Sequence, residues 1–138
     1  MRFTNVLYKL LSGCLSMLGF SGCILPCEYG PPPVEYNDYM VKGIVTDTKG
    51  NSLKGIEVKV IDSRSNKDVT IYTDSDGYFE SPMIQTPSLG NQMLHFTDID
   101  GEANGGEFSK KTISIKQMEE YKNDDEYLYV AKVSLQPK

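Results

Sequence analysis

Histidine and cysteine are scarce in this chain: one His, His95, and three Cys, at positions 14, 23 and 27, among 138 residues. Cys14 and Cys23 belong to an N-terminal apolar segment, which leaves Cys27 and His95 for any folded part. No structural zinc site follows, because such a site needs a full tetrahedral set of N and S ligands. Positive charge is also short. Against 14 Lys+Arg stand 19 Asp+Glu, a formal net charge of −5, which argues against nucleic acid or anionic headgroups as partners. Long apolar runs are missing as well. Lys9 interrupts the N-terminal run, and Ser12, Gly13, Ser16, Gly19, Ser21 and Gly22 dilute it, whereas a membrane-spanning helix takes ~20 mostly apolar residues. No uninterrupted helical stripe of globular length occurs, and Lys116–Asn123 has room for one or two helical turns at most.

What the N-terminus does contain is ordered. Arg2 and Lys9 precede the apolar stretch Leu10–Phe20, and small residues then lead to a cysteine in Phe20-Ser21-Gly22-Cys23. These are the n-region, h-region and small-residue site of a cleaved secretory signal. The cysteine at the cut resembles the lipobox of bacterial lipoproteins, in which the thiol is acylated by chains such as palmitate and becomes the mature N-terminus. A second string, Leu11-Ser12-Gly13-Cys14, is similar but leaves almost no hydrophobic segment after Lys9. Phe20 departs from the usual Leu. Cleavage before Cys23 removes two cations and no carboxylate, so the charge moves from −5 to about −7. Attachment would draw on about 0.8 kcal/mol per buried methylene, and two or more chains hold stably. Ile24 and Leu25 are not acidic and give no surface-export signal. The expected place is the cell envelope, on the outer membrane or facing the periplasm. Cys27 is then a single thiol in a disulfide-permissive compartment. An intermolecular bridge, a second acylation and an idle thiol all remain open for it.

Residues 24–38 read ILPCEYGPPPVEYND, with Pro26, Gly30 and the triple Pro31-Pro32-Pro33. Proline fixes φ and lacks an amide donor, so the stretch favours an extended spacer of about 3.1 Å per residue. A ligand for an aromatic groove is the sharper alternative; beside an anchor, a tether is preferred.

From about Tyr39 the pattern changes to short alternating runs. Tyr39, Val41, Gly43 and Val45 share one parity, as do Ile56, Val58 and Val60. Val69–Asp74 and Tyr78–Ser81 flank the turn Ser75-Asp76-Gly77. Leu94 and Phe96 mark a fifth run, Ile113 and Ile115 a sixth, and Tyr127–Leu135 a seventh with Tyr129, Ala131 and Val133 in phase. Period-two alternation with Gly and Asp turns predicts an all-β fold, a seven-stranded antiparallel sandwich. The organisation expected is a signal over 1–22, a tether over 23–38 and one β-domain over 39–138. Phe79 and the Ile56/Val58/Val60 face are expected in its core.

Two resemblances attach to these residues. Lys42-Gly43-Ile44-Val45-Thr46-Asp47 with Gly50, Leu53-Lys54-Gly55-Ile56 and Val58, then Thr73-Asp74-Ser75-Asp76-Gly77-Tyr78-Phe79, resembles the carboxypeptidase regulatory-like domain. That likeness implies a transthyretin-like Greek-key β-sandwich. It covers residues 41–80 well and the remainder by strand count. The whole chain is also similar to short Bacteroidetes-type lipoproteins encoded beside a radical S-adenosylmethionine enzyme, the rSAM/lipoprotein system. The residues that carry this are Gly19-Phe20-Ser21-Gly22-Cys23, Cys27-Glu28-Tyr29-Gly30-Pro31, Val41-Lys42-Gly43, Asp98-Ile99-Asp100-Gly101-Glu102 and Gly105-Gly106-Glu107-Phe108. It implies a partner radical SAM enzyme and modification of the lipoprotein, with no established activity.

The densest set of oxygen ligands is Asp98, Asp100, Glu102 and Glu107. Calcium takes carboxylates and carbonyls on a flexible loop, and Asp-x-Asp-Gly begins one. The spacing departs from an EF-hand, since Glu107 comes too early for the last ligand, and a solvated acidic loop is the preferred reading. Asp74-Ser75-Asp76-Gly77 is explained by its turn. His95 lies opposite in parity to Leu94 and Phe96, facing solvent, and no nucleophile or orienting partner can be named for it. Asn123-Asp124-Asp125-Glu126 reads as a solvated loop that discourages edge pairing. Tyr29, Tyr36 and Tyr39 cluster around the spacer, and Tyr121, Tyr127 and Tyr129 near the last strand. Exposed rings there would stack on sugar or dock a protein; buried, they are ordinary filling of the sandwich edge, which is preferred.

The expectation is a non-enzymatic, lipid-anchored accessory or interaction module at the envelope. It would have a protein partner, no nucleic acid and no cofactor. The alternative is a carbohydrate- or calcium-dependent surface binding module. A hydrolase or peptidase is the third reading, and it lacks the zinc-binding catalytic half that accompanies the regulatory-like domain.

Overall fold

The computed structural model describes residue 9, residues 30–64 and residues 67–138. Of the signal expected over 1–22 only Lys9 is described; Cys23, the expected lipidation residue, lies outside the described residues, as do Cys14 and Cys27. The chain divides into two units, Met1–Pro33 and Val34–Lys138. Among the described residues no helix is long and apolar enough to cross a membrane.

Val34–Lys138 is a β-sandwich of nine strands: β1 (Asn37–Asp47), β2 (Ile56–Asp62), β3 (Lys67–Tyr72), β4 (Tyr78–Glu80), β5 (Ile84–Thr86), β6 (Gln92–Asp98), β7 (Lys111–Ser114), β8 (Glu119–Asn123) and β9 (Glu126–Leu135). One sheet runs β4-β1-β9-β8, with β5 also on β1; the other runs β3-β2-β6-β7. The all-β sandwich expected from alternation is therefore present. Two details differ. Among the described residues the strands number nine rather than seven, and β1 and β9 pair in parallel over ten positions, from Asp38 with Glu126 to Asp47 with Leu135. All other strand pairs are antiparallel.

Alternation explains which faces meet. In β2 the buried apolar residues are Ile56, Val58 and Val60, in β6 Leu94 and Phe96, and in β9 Tyr129, Ala131, Val133 and Leu135. Each large apolar side chain removed from water contributes about 1.5–3 kcal/mol. Phe79 of one sheet meets Phe96 of the other edge-to-face, with ring centroids 5.7 Å apart, a preferred aromatic geometry. The residues of the regulatory-like pattern are tied together by one buried hydroxyl. Thr73 donates to the Leu53 carbonyl at 2.6 Å and accepts from the Ile56 amide at 2.9 Å.

Both tight turns of this region are closed by a carboxylate. Asp47 accepts from the amides of Lys49 (2.8 Å) and Asn51 (2.9 Å) and from the Asn51 side chain (2.9 Å). These hydrogen bonds, Asn51 foremost, hold its carboxyl below the ordinary value. Asp74 accepts from Asp76 (2.9 Å) and Tyr78 (3.0 Å), so turn chemistry accounts for Asp74-Ser75-Asp76-Gly77. Gly77 follows at φ +71°, where a Cβ would stand 2.4 Å from the Val45 carbonyl oxygen.

Gly43 is the most tightly enclosed of the described glycines. A Cβ there would come within 2.1 Å of the Ala131 carbonyl oxygen and 2.9 Å of the Phe79 ring. The neighbours are backbone and a packed aromatic, neither free to move cheaply. Gly43→Ala is expected to lower stability by about 3 kcal/mol. Chemical denaturation of the full chain measures this, and an unchanged midpoint would contradict the close packing of β1 on β9 and β4.

Candidate functional site

The acidic loop after β6 is the strongest sequence candidate. Asp98, at the end of β6, points one carboxylate oxygen at the Asp100 amide (3.3 Å) and the other at the Phe108 amide (3.0 Å). It thereby closes the loop onto itself, with Phe108 buried below. Asp100 turns to the side-chain amide of Asn104, with which it makes a short hydrogen bond, and Asn104 adopts φ +52° to allow this. Glu107 is ion-paired with Lys138, and Glu102 is exposed. Of the four candidate calcium ligands, Asp98, Asp100 and Glu107 are thus engaged with separate partners. Among the described residues, no three His, Cys, Asp or Glu side chains converge as a metal site.

The charges of the two aspartates are divided unequally. Burial first, and then the neighbouring Asp100 carboxyl, push Asp98 above the ordinary carboxylate value. The Asn104 amide first, and then Asp98, hold Asp100 below it. The visible task of the Asp98 carboxylate is to hold backbone.

His95 stands half-buried on the outer face of β6, with its Nδ1 3.1 Å from the Thr112 hydroxyl of β7. That is its one side-chain hydrogen bond among the described residues. Acid–base chemistry needs a third group to orient the ring, and the described residues place none there.

The tyrosines separate by burial. Tyr39 and Tyr129 are core residues, 0% and 3% exposed, packed edge-to-face at 6.3 Å. Tyr127 is half-buried beneath Lys122, whose Nζ lies 5.1 Å from its ring centroid. Tyr36 and Tyr121 are open, at 61% and 56%. Tyr29 lies outside the described residues. A crevice of about 460 Å³ is lined by Leu89, Ile115, Met118, Glu120, Tyr127 and Tyr129. In it the Tyr129 hydroxyl donates to Glu120 at 2.8 Å. Burial and that carboxylate raise its pKa, keeping it a donor rather than a base.

One polar cluster went unrecognised in the sequence. Asp62, Thr86 and Gln92 are all buried, and Asp62 lies directly opposite Gln92 in the ladder. The Gln92 side-chain amide donates to Asp62 (3.1 Å), Thr86 (3.1 Å) and the Ser88 carbonyl (2.8 Å), while its oxygen accepts from the Gly90 amide (2.9 Å). Since Thr86 belongs to the opposite sheet, the cluster joins the sheets at one end. Its signal was parity: Asp62 continues the inward phase of Ile56, Val58 and Val60, and Gln92 that of Leu94 and Phe96. Tyr39 is buried close by. Burial first, then the Asp62 carboxylate, raise its pKa, and its hydroxyl has no hydrogen-bond partner among the described residues.

Removing the Asp98 carboxylate would free two amides at once. In Asp98→Ala, hydrogen exchange is expected to accelerate at Asp100 and Phe108 while the centre of β6 keeps its protection. Unchanged exchange at both amides would show that the loop closes without this side chain.

No family model matches the chain, and no curated protein matches it. Solved structures do resemble it. Wild-type catechol 1,2-dioxygenase of Acinetobacter radioresistens is similar at TM-score 0.51 and 15% identity, over 75% of this chain and 53% of that one. The dioxygenase domain of a dioxygenase carbohydrate-binding protein fusion from the cellulolytic bacterium Streptomyces sp. SirexAA-E is similar at TM-score 0.52 and 12% identity, over 79% and 86%. The chain spans about half the length of the catechol dioxygenases it resembles. At this identity the likeness is one of fold alone.

Proposed function

We propose that the chain is a lipid-anchored β-sandwich of the cell envelope that works as a non-enzymatic accessory or interaction module. The observation that carries this reading is the N-terminal order: cations, the apolar stretch Leu10–Phe20, small residues, then Cys23 and a proline-rich spacer. Acylation at Cys23 would fix the chain to a membrane, and an acidic domain on an extended spacer would be repelled by anionic headgroups. The sequence likeness to radical SAM-associated lipoproteins adds a partner enzyme of that class, acting on this protein as its substrate.

The anchor is tested by metabolic labelling with an alkynyl palmitate analogue followed by membrane fractionation. Wild type is expected to carry label and sediment with membranes. Cys23→Ser is expected to lose both, and Cys14→Ser to lose neither. Label retained in Cys23→Ser would place the anchor at another residue, and wild type without label would remove it.

The second reading, a calcium- or carbohydrate-dependent surface module, is favoured by the acidic loop and by the open rings of Tyr36 and Tyr121. If the loop binds calcium, Tm rises across millimolar calcium and Asp100→Asn removes the rise. A melting curve indifferent to calcium would sink the metal part of that reading.

A further inference from the structure

We infer that the free edge of β8 is a pairing surface for β8 of a second copy of this chain. Among the described residues the strand ends its sheet, bonded to β9 alone, and all five of its residues, Glu119-Glu120-Tyr121-Lys122-Asn123, are exposed. The turn between β8 and β9 has two residues, Asp124 and Asp125, and closes on Asn123 opposite Glu126. A two-residue hairpin closes on a hydrogen-bonded pair, and such pairs alternate along an antiparallel ladder. The ladder bonds to β9 therefore fall at Asn123, Tyr121 and Glu119. The amides and carbonyls of Glu120 and Lys122 point to the open edge.

Antiparallel pairing about a two-fold axis at Tyr121 satisfies that edge. It sets Glu120 opposite Lys122 of the second copy, and Lys122 opposite its Glu120. These are the two residues with outward backbone groups, so charge and hydrogen bonding select one register. Tyr121 then meets Tyr121 in a non-hydrogen-bonded pair, where side chains come closest. Glu119 meets Asn123, an acceptor against an amide donor. The other long edge, β3, reads Lys67-Asp68-Val69-Thr70-Ile71-Tyr72. No two-fold register of it sets its lysine against its aspartate while keeping both strands fully paired. Exposed edges are commonly defended with charge; in β8 Glu120 and Lys122, the residues whose backbone groups face the open edge, carry opposite charges, and the complement they fit is the strand itself. The pairing does not require the lipid anchor, which would only raise the local concentration of copies.

The test uses the full chain with Cys14, Cys23 and Cys27 replaced by serine, so that its result is independent of acylation. A single cysteine is placed by Tyr121→Cys and the protein is mildly oxidised. Tyr72→Cys and Ile99→Cys, at side chains equally exposed in wild type, serve as collision controls. A non-hydrogen-bonded pair brings α-carbons within disulfide reach, so Tyr121→Cys should form several-fold more disulfide dimer than either control. Adding Glu120→Lys or Lys122→Glu alone should cut the dimer about tenfold, and the two together should restore it. Dimer at the level of the controls, or a double exchange that fails to restore it, would overturn the inference.

Discussion

The parallel ladder between the first strand and the last is the constraint on which the sandwich depends. β1 contributes Asp38–Asp47 and β9 contributes Glu126–Leu135, and every position is paired. The two strands come from opposite ends of the domain, so the pairing must overcome the entropy of closing nearly the whole chain. Its return is the middle of the sheet, to which β4 and β5 attach on one side and β8 on the other. Gly43 makes the ladder possible at its centre, where Phe79 lies over the bare α-carbon and the Ala131 carbonyl passes beside it.

The candidate surfaces follow from that arrangement. Once β1 and β9 occupy the middle, β8 is left at an edge and cannot bury a face. This is why it reads Glu-Glu-Tyr-Lys-Asn with no apolar alternation. The acidic loop after β6 leaves the opposite sheet, and Asp98 turns its own carboxylate to fastening that loop. The Asp62–Gln92–Thr86 cluster joins the two sheets with hydrogen bonds where the apolar core ends. A buried polar group is tolerated only when paired, and Gln92 is paired on both its nitrogen and its oxygen.

Where a strand buries one face, the sequence told its orientation. Tyr39, Val41 and Val45, Ile56, Val58 and Val60, Leu94 and Phe96, and Tyr129, Ala131 and Val133 all point inward in the parity that alternation assigned them. Three features were not legible. β5 is three residues between Pro82 and Pro87, too short to show a period. β8 has no buried face, and the one or two helical turns expected over Lys116–Asn123 reduce to a 3₁₀ turn at Ile115–Gln117, capped reciprocally by Ser114 and Gln117. The parallel sense of β1 and β9 leaves no mark in either strand, because alternation reports a face and not a direction. At the site level, the carboxylates of 98–107 were visible as a cluster. Their hydrogen-bond partners were not, since Phe108, Asn104 and Lys138 are brought to them by the loop's closure.

We propose that this domain works on a lipid tether starting at Cys23. Intact and peptide-level mass spectrometry of the protein purified from native membranes tests it most directly. A mature N-terminus at Cys23 carrying acyl chains is expected, with any further mass localised to a residue beyond it. An N-terminus that retains residues 1–22, or an unmodified Cys23, would contradict it.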